Sequence, residues 1–95
     1  MFAIVLQFST NKSAAREHMD GHNAWLRKGF DDGVFLVSGS LVPGRGGIVL
    51  AAGEDAQTLR RRVDEDPFVE HGVVEADLLE FNPSKADPRL EFLLS

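Results

Sequence analysis

Three histidines carry most of the acid-base chemistry available to this sequence, because an imidazole gains or loses its proton near neutral pH. His22 lies in the apolar stripe of a predicted helix, together with Met19, Leu26 and Phe30. A lone histidine on such a face is more often a packed core residue than a catalytic one. Proton transfer becomes the better interpretation only if a carboxylate orients the ring.

His18 precedes His22 by one helical turn, which is the spacing of paired metal ligands on a helix. No glutamate lies between them to act as a base, and the chain contains no cysteine. The third histidine, His71, would join this pair only if the tertiary fold happened to bring it there. We therefore expect no metal site, and no motif in the sequence indicates a bound cofactor.

The carboxylate with the most unusual position is Asp66, which is followed directly by Pro67 and Phe68. A residue before proline is pushed out of the helical region, so Asp66 should have an extended backbone at a corner after a helix. A carboxylate placed there can fix the tautomer of an imidazole and stabilise its charged form. It can equally be part of a simple helix-terminal turn, and the residues alone leave both interpretations open.

Ser38, Gly39 and Ser40 interrupt an otherwise apolar predicted strand. A glycine inside a strand often marks the close approach of a ligand or another backbone, although a bulge or an edge bend is the commoner cause. The two hydroxyls would be short polar groups in a dry cavity. The glycine-rich run Gly44–Gly47 lacks the lysine and the spacing of a phosphate-binding loop, and it predicts a hairpin turn.

The elements that position these residues are predicted from hydrophobic periodicity. The sequence predicts strands at Phe2–Phe8, Val34–Leu41, Ile48–Ala52 and Val73–Phe81, a helix from the N-cap Ser13 to Gly33, and a helix that begins near Gly53 and is stopped by Pro67. The order βαββαβ is that of an α+β, ferredoxin-like fold, in which a four-stranded antiparallel sheet carries two helices on one face.

The strands are apolar on both faces, and we expect Phe35 and Val37 on one face with Leu36 on the other. Because two helices cover only one face, a second copy should bury the other, which predicts a homodimer of the dimeric α+β barrel type. The polar linker Asn82–Pro88 is followed by an apolar tail up to Ser95. We expect the tail, within residues 83–95, to pack on its own subunit or on the partner.

The composition excludes several classes of protein. A chain of 95 residues has room for one domain. Its 10 Lys and Arg against 15 Asp and Glu give a net charge of −5, which argues against nucleic acid and anionic membranes as partners. No apolar run approaches the length of a membrane span, and the N-terminus lacks a basic signal region. With no cysteine, we expect a cytoplasmic protein.

The helix-borne His22, the Ser38-Gly39 step and the run Asp66-Pro67-Phe68-Val69 together resemble the YCII-related (YciI-like) family of small dimeric α+β barrel proteins. The likeness covers about Met1 to Phe81, so we expect the domain to occupy residues 1–82. The resemblance implies that His22 and Asp66 form the catalytic or ligand-facing pair in a pocket beside the sheet, with Ser38 nearby. The chain departs from the family pattern at Ser40, where the family commonly has proline.

The resemblance favours a small-molecule enzyme of lyase or isomerase type, since some family members are linked to elimination or isomerisation of small ring compounds. His22, oriented by Asp66, would move the proton of a small carbonyl-bearing or phenolic ligand. We expect the ligand to be bound by the residues Ser38, Gly39, Ser40, Pro67 and Phe68. The alternative is a non-catalytic small-molecule-binding module, or a regulatory partner of the same fold.

Overall fold

The structure is a computed structural model that describes residues 1–94. Its strands are β1 (Phe2–Phe8), β2 (Phe35–Leu41), β3 (Gly46–Ala51) and β4 (Val74–Glu80), its α-helices are α1 (Ala15–Asp31), α2 (Ala56–Asp64) and α3 (Pro67–Glu70), and short 3-10 helices cover Lys12–Ala14 and Pro88–Leu94. The strands form one antiparallel sheet in the order β2-β3-β1-β4. Within residues 1–94, no helix has the length and apolar character needed to cross a bilayer. The order and pairing of the strands confirm the predicted ferredoxin-like α+β fold.

Alternate residues of β1 form the centre of the core beneath the helices. Phe2, Ile4 and Leu6 are no more than 3% exposed, whereas Ala3 and Val5 on the opposite face are only half-buried. The helices contribute the buried side chains Trp25, Leu59, Val63 and Phe68. The sheet is therefore covered on one face by all three helices, as the one-sided alternation of an antiparallel sheet requires.

Helix α1 packs on a face that is rotated from the predicted one. Its buried residues are Trp25 and Gly29, whereas Met19 and Phe30 are 41% and 40% exposed. A Cβ atom at position 29 would overlap the Phe35 ring, so glycine allows the helix to approach the strand this closely. The prediction placed Trp25 and Gly29 beside the apolar stripe rather than at the centre of the packed face, because glycine carries no hydrophobic signal.

Two predicted boundaries also need correction. Ser13 is not an N-cap, because it lies inside the 3-10 helix Lys12–Ala14 and α1 begins only at Ala15. Strand β3 begins at Gly46, before the predicted start, because Gly46 pairs with Leu41 across the hairpin. The hairpin turn is therefore shorter than the glycine-rich run suggested.

A β-bulge in β2 decides which of its side chains face the helices. The pairing of β2 with β3 shifts in register between Phe35 and Val37. Val37 therefore lies on the face of the sheet away from the helices, and the prediction that it shares a face with Phe35 is wrong. Beyond the bulge, Ser38 pairs with the buried Val49, which places Ser38 and Ser40 on the helix side.

The sheet face away from the helices keeps large apolar side chains exposed. Val37 and Leu79 lie on this face and are 53% and 56% exposed. In the C-terminal 3-10 helix, Leu90 and Leu94 are 48% and 42% exposed. Several exposed apolar side chains on one face of a sheet are typical of a region that contacts another chain.

Candidate active site

His22 and Asp66 come together between α1 and the start of α3. The Nδ1 atom of His22 lies 2.9 Å from Oδ1 of Asp66, and the two side chains are 13% and 0% exposed. Because a carboxylate only accepts hydrogen bonds, Nδ1 is the donor, and in the neutral form of the ring Nε2 is then the nitrogen that carries no proton. The pair thus has the arrangement of an imidazole base whose tautomer is set by a buried carboxylate.

The Asp66-Pro67-Phe68 run positions the carboxylate by beginning a helix. Asp66 has an extended backbone (φ −63°, ψ 122°), as the following proline predicts, and Pro67 occupies the first turn of α3. Oδ1 of Asp66 accepts a hydrogen bond from the Phe68 N–H at 3.0 Å, so the same oxygen caps α3 and orients His22. Oδ2 is buried and has no hydrogen-bond partner within residues 1–94.

The prediction treated Pro67 only as the end of a helix and missed α3. A signal for that helix was present, because an aspartate followed by proline is a common N-cap and first helical residue. Helix α3 packs closely against α1. A Cβ atom at Gly21 would lie 2.9 Å from Cγ of Pro67. Asp66 reaches His22 because the two helices approach this closely.

Aromatic stacking holds the plane of the His22 ring. The ring lies parallel to that of Phe68, with centroids 4.0 Å apart and an interplanar angle of 5°. Trp25 lies on the same helix with its centroid 5.8 Å away. Stacking therefore sets the ring plane, while the hydrogen bond to Asp66 sets the rotation of the ring within that plane.

A cavity of about 310 Å³ opens beside His22, between α1 and the sheet. Its lining consists of Leu6, Phe8, Met19, His22, Asn23, Leu26, Ser38, Gly39, Ser40, Gly46, Gly47, Ile48, Val49, Phe68 and Val74. Gly47 pairs with Ser40 and has no side chain to fill the space between β1 and β2. The cavity is therefore apolar with four polar side chains, a composition typical of small-ligand sites.

The predicted site residues fall into three groups. His22, Phe68 and Ser38–Ser40 line the cavity, and Asp66 lies behind the His22 ring rather than in the lining. Pro67 is not part of the lining, because it packs against α1. Sequence reasoning missed Asn23, although Asn23 lies four residues after Met19 and therefore on the same side of the helix.

The other two histidines form a separate contact. The rings of His18 and His71 stack in parallel, with centroids 4.0 Å apart and an interplanar angle of 5°. This contact lies one helical turn before the His22–Phe68 stack and likewise joins α1 to the α3 region. No group of three or more metal-ligating side chains with the geometry of a metal site is present in residues 1–94.

An ion-pair network outside the cavity ties the end of α1 to α2. Arg62 donates to Glu54 at 3.0 and 3.1 Å and to Asp32 at 3.0 Å, and Glu54 and Asp32 raise the pKa of Arg62 above its ordinary value. In turn, the hydrogen bonds from Arg62 and Lys28 hold the pKa of Asp32 below its ordinary value of 3.8. The Trp25 indole N–H donates to the Arg62 carbonyl at 2.8 Å. The network therefore supports the helix that carries His22.

The fold and the site define the class: a ferredoxin-like α+β domain with a cavity between the sheet and the first helix, a histidine in the cavity wall and a buried carboxylate behind it. The YCII-related domain model matches residues 1–82, and the chain belongs to this family. Among solved structures, it is similar to 5-chloro-2-hydroxyhydroquinone dehydrochlorinase from Burkholderia phenoliruptrix, in complex with 2,5-dihydroxybenzoquinone. That likeness has a TM-score of 0.69 at 14% sequence identity and covers 85% of this chain and 93% of the other. No curated protein matches the chain.

Proposed function

We propose that the protein is a small-molecule enzyme of lyase or isomerase type in which His22, oriented by Asp66, transfers a proton of a ligand bound in the cavity. The observation that carries this proposal is the 2.9 Å contact between His22 Nδ1 and the fully buried Asp66 carboxylate. His22 also contributes to the cavity wall. A histidine that is merely packed in a core also needs a hydrogen-bond partner, but it has no need to line a cavity of ligand size.

The proposed chemistry uses Nε2 of His22 as the base. In an elimination, Nε2 takes a proton from the ligand, the electron pair of the broken bond forms a new double bond, and the leaving group departs with its own electron pair. In an isomerisation, the imidazolium returns the proton to another atom of the same ligand. In both cases Asp66 stabilises the imidazolium that forms, and Phe68 keeps the ring plane constant.

The serines give the cavity its means of binding oxygen substituents. Ser38 and Ser40 lie on the same face of β2 and both line the cavity. Successive same-face residues of a strand are about 6.6 Å apart, so the two hydroxyls can contact two separate oxygens of a small ring. The dehydrochlorinase with a similar fold was solved with a dihydroxybenzoquinone, which supports ring compounds with several oxygens as the ligand class.

The test is turnover of 5-chloro-2-hydroxyhydroquinone and related halogenated or hydroxylated rings. Turnover is measured by chloride release and by the absorbance of the quinone product. We expect His22→Asn to abolish turnover without loss of folding. The matched control is His18→Asn, one helical turn away and outside the cavity lining, which should retain turnover. Binding of 2,5-dihydroxybenzoquinone without turnover of any ring substrate would favour the non-catalytic binding module instead.

We also propose that the protein is a homodimer formed through the sheet face that carries Val37 and Leu79, with the tail of residues 83–95 packed on its own subunit or on the partner. The support is the exposure of these side chains and of Leu90 in the tail. Sedimentation equilibrium at micromolar concentration tests the proposal, and Val37→Glu should shift the protein toward monomer. A wild-type monomer of 10.4 kDa would contradict it.

A further inference from the structure

The walls of the cavity contain no charged side chain from the described residues. The polar side chains in its lining are those of His22, Asn23, Ser38 and Ser40. An ionised group of a ligand would lose its hydration among these side chains. Because no opposite charge is present there, few favourable interactions would replace that hydration. The interior of the cavity therefore suits the uncharged part of a ligand.

Two cationic residues, Lys12 and Arg45, are neighbours of Phe8, which lines the cavity. Nζ of Lys12 lies 4.9 Å from the centroid of the Phe8 ring, and Phe8 lines the cavity. The Phe8 N–H donates to the Arg45 carbonyl at 2.9 Å, and the next residue, Gly46, also lines the cavity. Lys12 and Arg45 are both exposed. A ligand that leaves one end beside Phe8, at what we call the Lys12–Arg45 rim, is close to both of these residues.

These two cations are not neutralised by the protein. In the part of the chain that the structure describes, neither Lys12 nor Arg45 forms an ion pair with a carboxylate, in contrast to Lys28, Arg60 and Arg62. The chain as a whole has a net charge of −5, so an unpaired positive rim differs from the average of its surface.

Charged residues on the helix side of the cavity do not cancel the positive charge of the rim. Asn23 is the polar residue of α1 beside His22 in the lining. Asp20 precedes it by three residues and Arg27 follows it by four, so the neighbouring helix surface carries one charge of each sign. The net charge contributed to the opening therefore comes from Lys12 and Arg45.

We propose that the cavity selects ring compounds that bind as anions, with an ionised phenolic or enolic oxygen at the Lys12–Arg45 rim and the uncharged ring extending to His22. The inference rests on the proposed function and adds to it the charge state of the substrate and the residues that recognise it. Cations at a cavity mouth raise the local concentration of anions and stabilise the bound anion, and salt screens both effects.

The experiment compares two probes that differ in charge but not in ring. One is 2-hydroxy-1,4-naphthoquinone, whose acidic hydroxyl is ionised at neutral pH, and the other is the uncharged 2-methoxy-1,4-naphthoquinone. A single charge about 8 Å away through water changes a dissociation constant by roughly twofold. The Lys12→Gln, Arg45→Gln double variant should therefore bind the hydroxyquinone about three- to sixfold more weakly at low ionic strength, and as well as wild type near ~1 M salt. Its affinity for the methoxyquinone should not change.

Two control variants separate charge from shape. Lys12→Arg with Arg45→Lys keeps both charges and should retain wild-type affinity for the hydroxyquinone. Lys85→Gln removes a cation from the segment after β4, which leaves the sheet beside Met1 at the end away from Phe8, and should have no effect.

The inference is overturned if the double variant weakens both quinones equally, if it weakens neither, or if wild type fails to bind the hydroxyquinone. The outcome is distinguishable from failure of the proposed function, because binding and turnover are measured separately. If binding depends on the rim cations but no ring substrate is turned over, the inference stands and the proposed enzymatic function is rejected. If ring substrates are turned over but quinone binding is indifferent to the rim variants, the inference is overturned and the proposed function stands.

Discussion

Replacing Asp66 by asparagine removes one negative charge from the His22–Asp66 pair and leaves its shape nearly unchanged. The carboxamide oxygen can still cap α3, because asparagine is about as good an N-cap as aspartate. What the variant loses is the negative charge that stabilises the imidazolium and part of the preference for a proton on Nδ1, because a neutral carboxamide oxygen accepts a weaker hydrogen bond than a carboxylate. We therefore expect the fold to persist while proton transfer fails.

The size of the effect follows from the contacts of Asp66. Its Oδ1 lies 2.9 Å from Nδ1 of the His22 ring, and the carboxylate is fully buried, so little water screens the interaction. General acid-base catalysis contributes about 10²- to 10⁴-fold to a rate, and Asp66→Asn should remove most of it. That loss corresponds to a barrier about 3 to 5 kcal/mol higher.

The assay is kcat for the ring substrate of the proposed reaction, with ¹⁵N NMR of the histidine rings as a second readout. The NMR spectrum should show the His22 proton on Nδ1 in wild type and redistributed toward Nε2 in the variant. The matched control is Asp55→Asn, since Asp55 caps α2 through the Thr58 N–H at 2.8 Å and is exposed. Asp55→Asn should leave both readouts unchanged. An Asp66→Asn protein with wild-type kcat and an unchanged His22 tautomer would refute the dyad.

Two further predictions concern the packing and charges that hold α1. Gly29→Ala should lower the free energy of unfolding, measured in urea. The overpacking cost against the Phe35 ring is about 1 to 3 kcal/mol, and it exceeds the gain in helix propensity of about 1 kcal/mol. A more stable variant would contradict the close contact. Asp32→Asn should reduce stability at neutral pH but not in acid, because Arg62 holds the pKa of Asp32 below its ordinary value of 3.8. The stability that the Asp32 carboxylate contributes is therefore present above pH 3.8 and disappears as the pH falls through the lower pKa of the folded state. Unfolding curves of both proteins from pH 7 to pH 2 test this, and a difference that persists in acid would show that the ion pair is not its source.

Much of the architecture was predictable because it depends on local pattern. Hydrophobic periodicity along the chain identified four strands and two main helices in their correct order, since side chains repeat every second residue in a strand and every three to four in a helix. The extended backbone of Asp66 was also predictable, because the constraint comes from the ring of the adjacent Pro67. The family likeness on His22 and the Asp-Pro-Phe run added the expectation that the two residues form a pair.

The tertiary structure decided which atoms meet. His22 and Asp66 are 44 residues apart in the chain, and their contact depends on how closely α1 approaches α3. The rotation of α1 depends on Gly29 and the Phe35 ring, which face each other only after the helix has packed. The side of the sheet on which Ser38 lies depends on a bulge, which is set by pairing with β3. Each of these is a contact between residues that local periodicity treats separately, so the sequence determined the elements and their order, whereas packing between elements determined the geometry of the site.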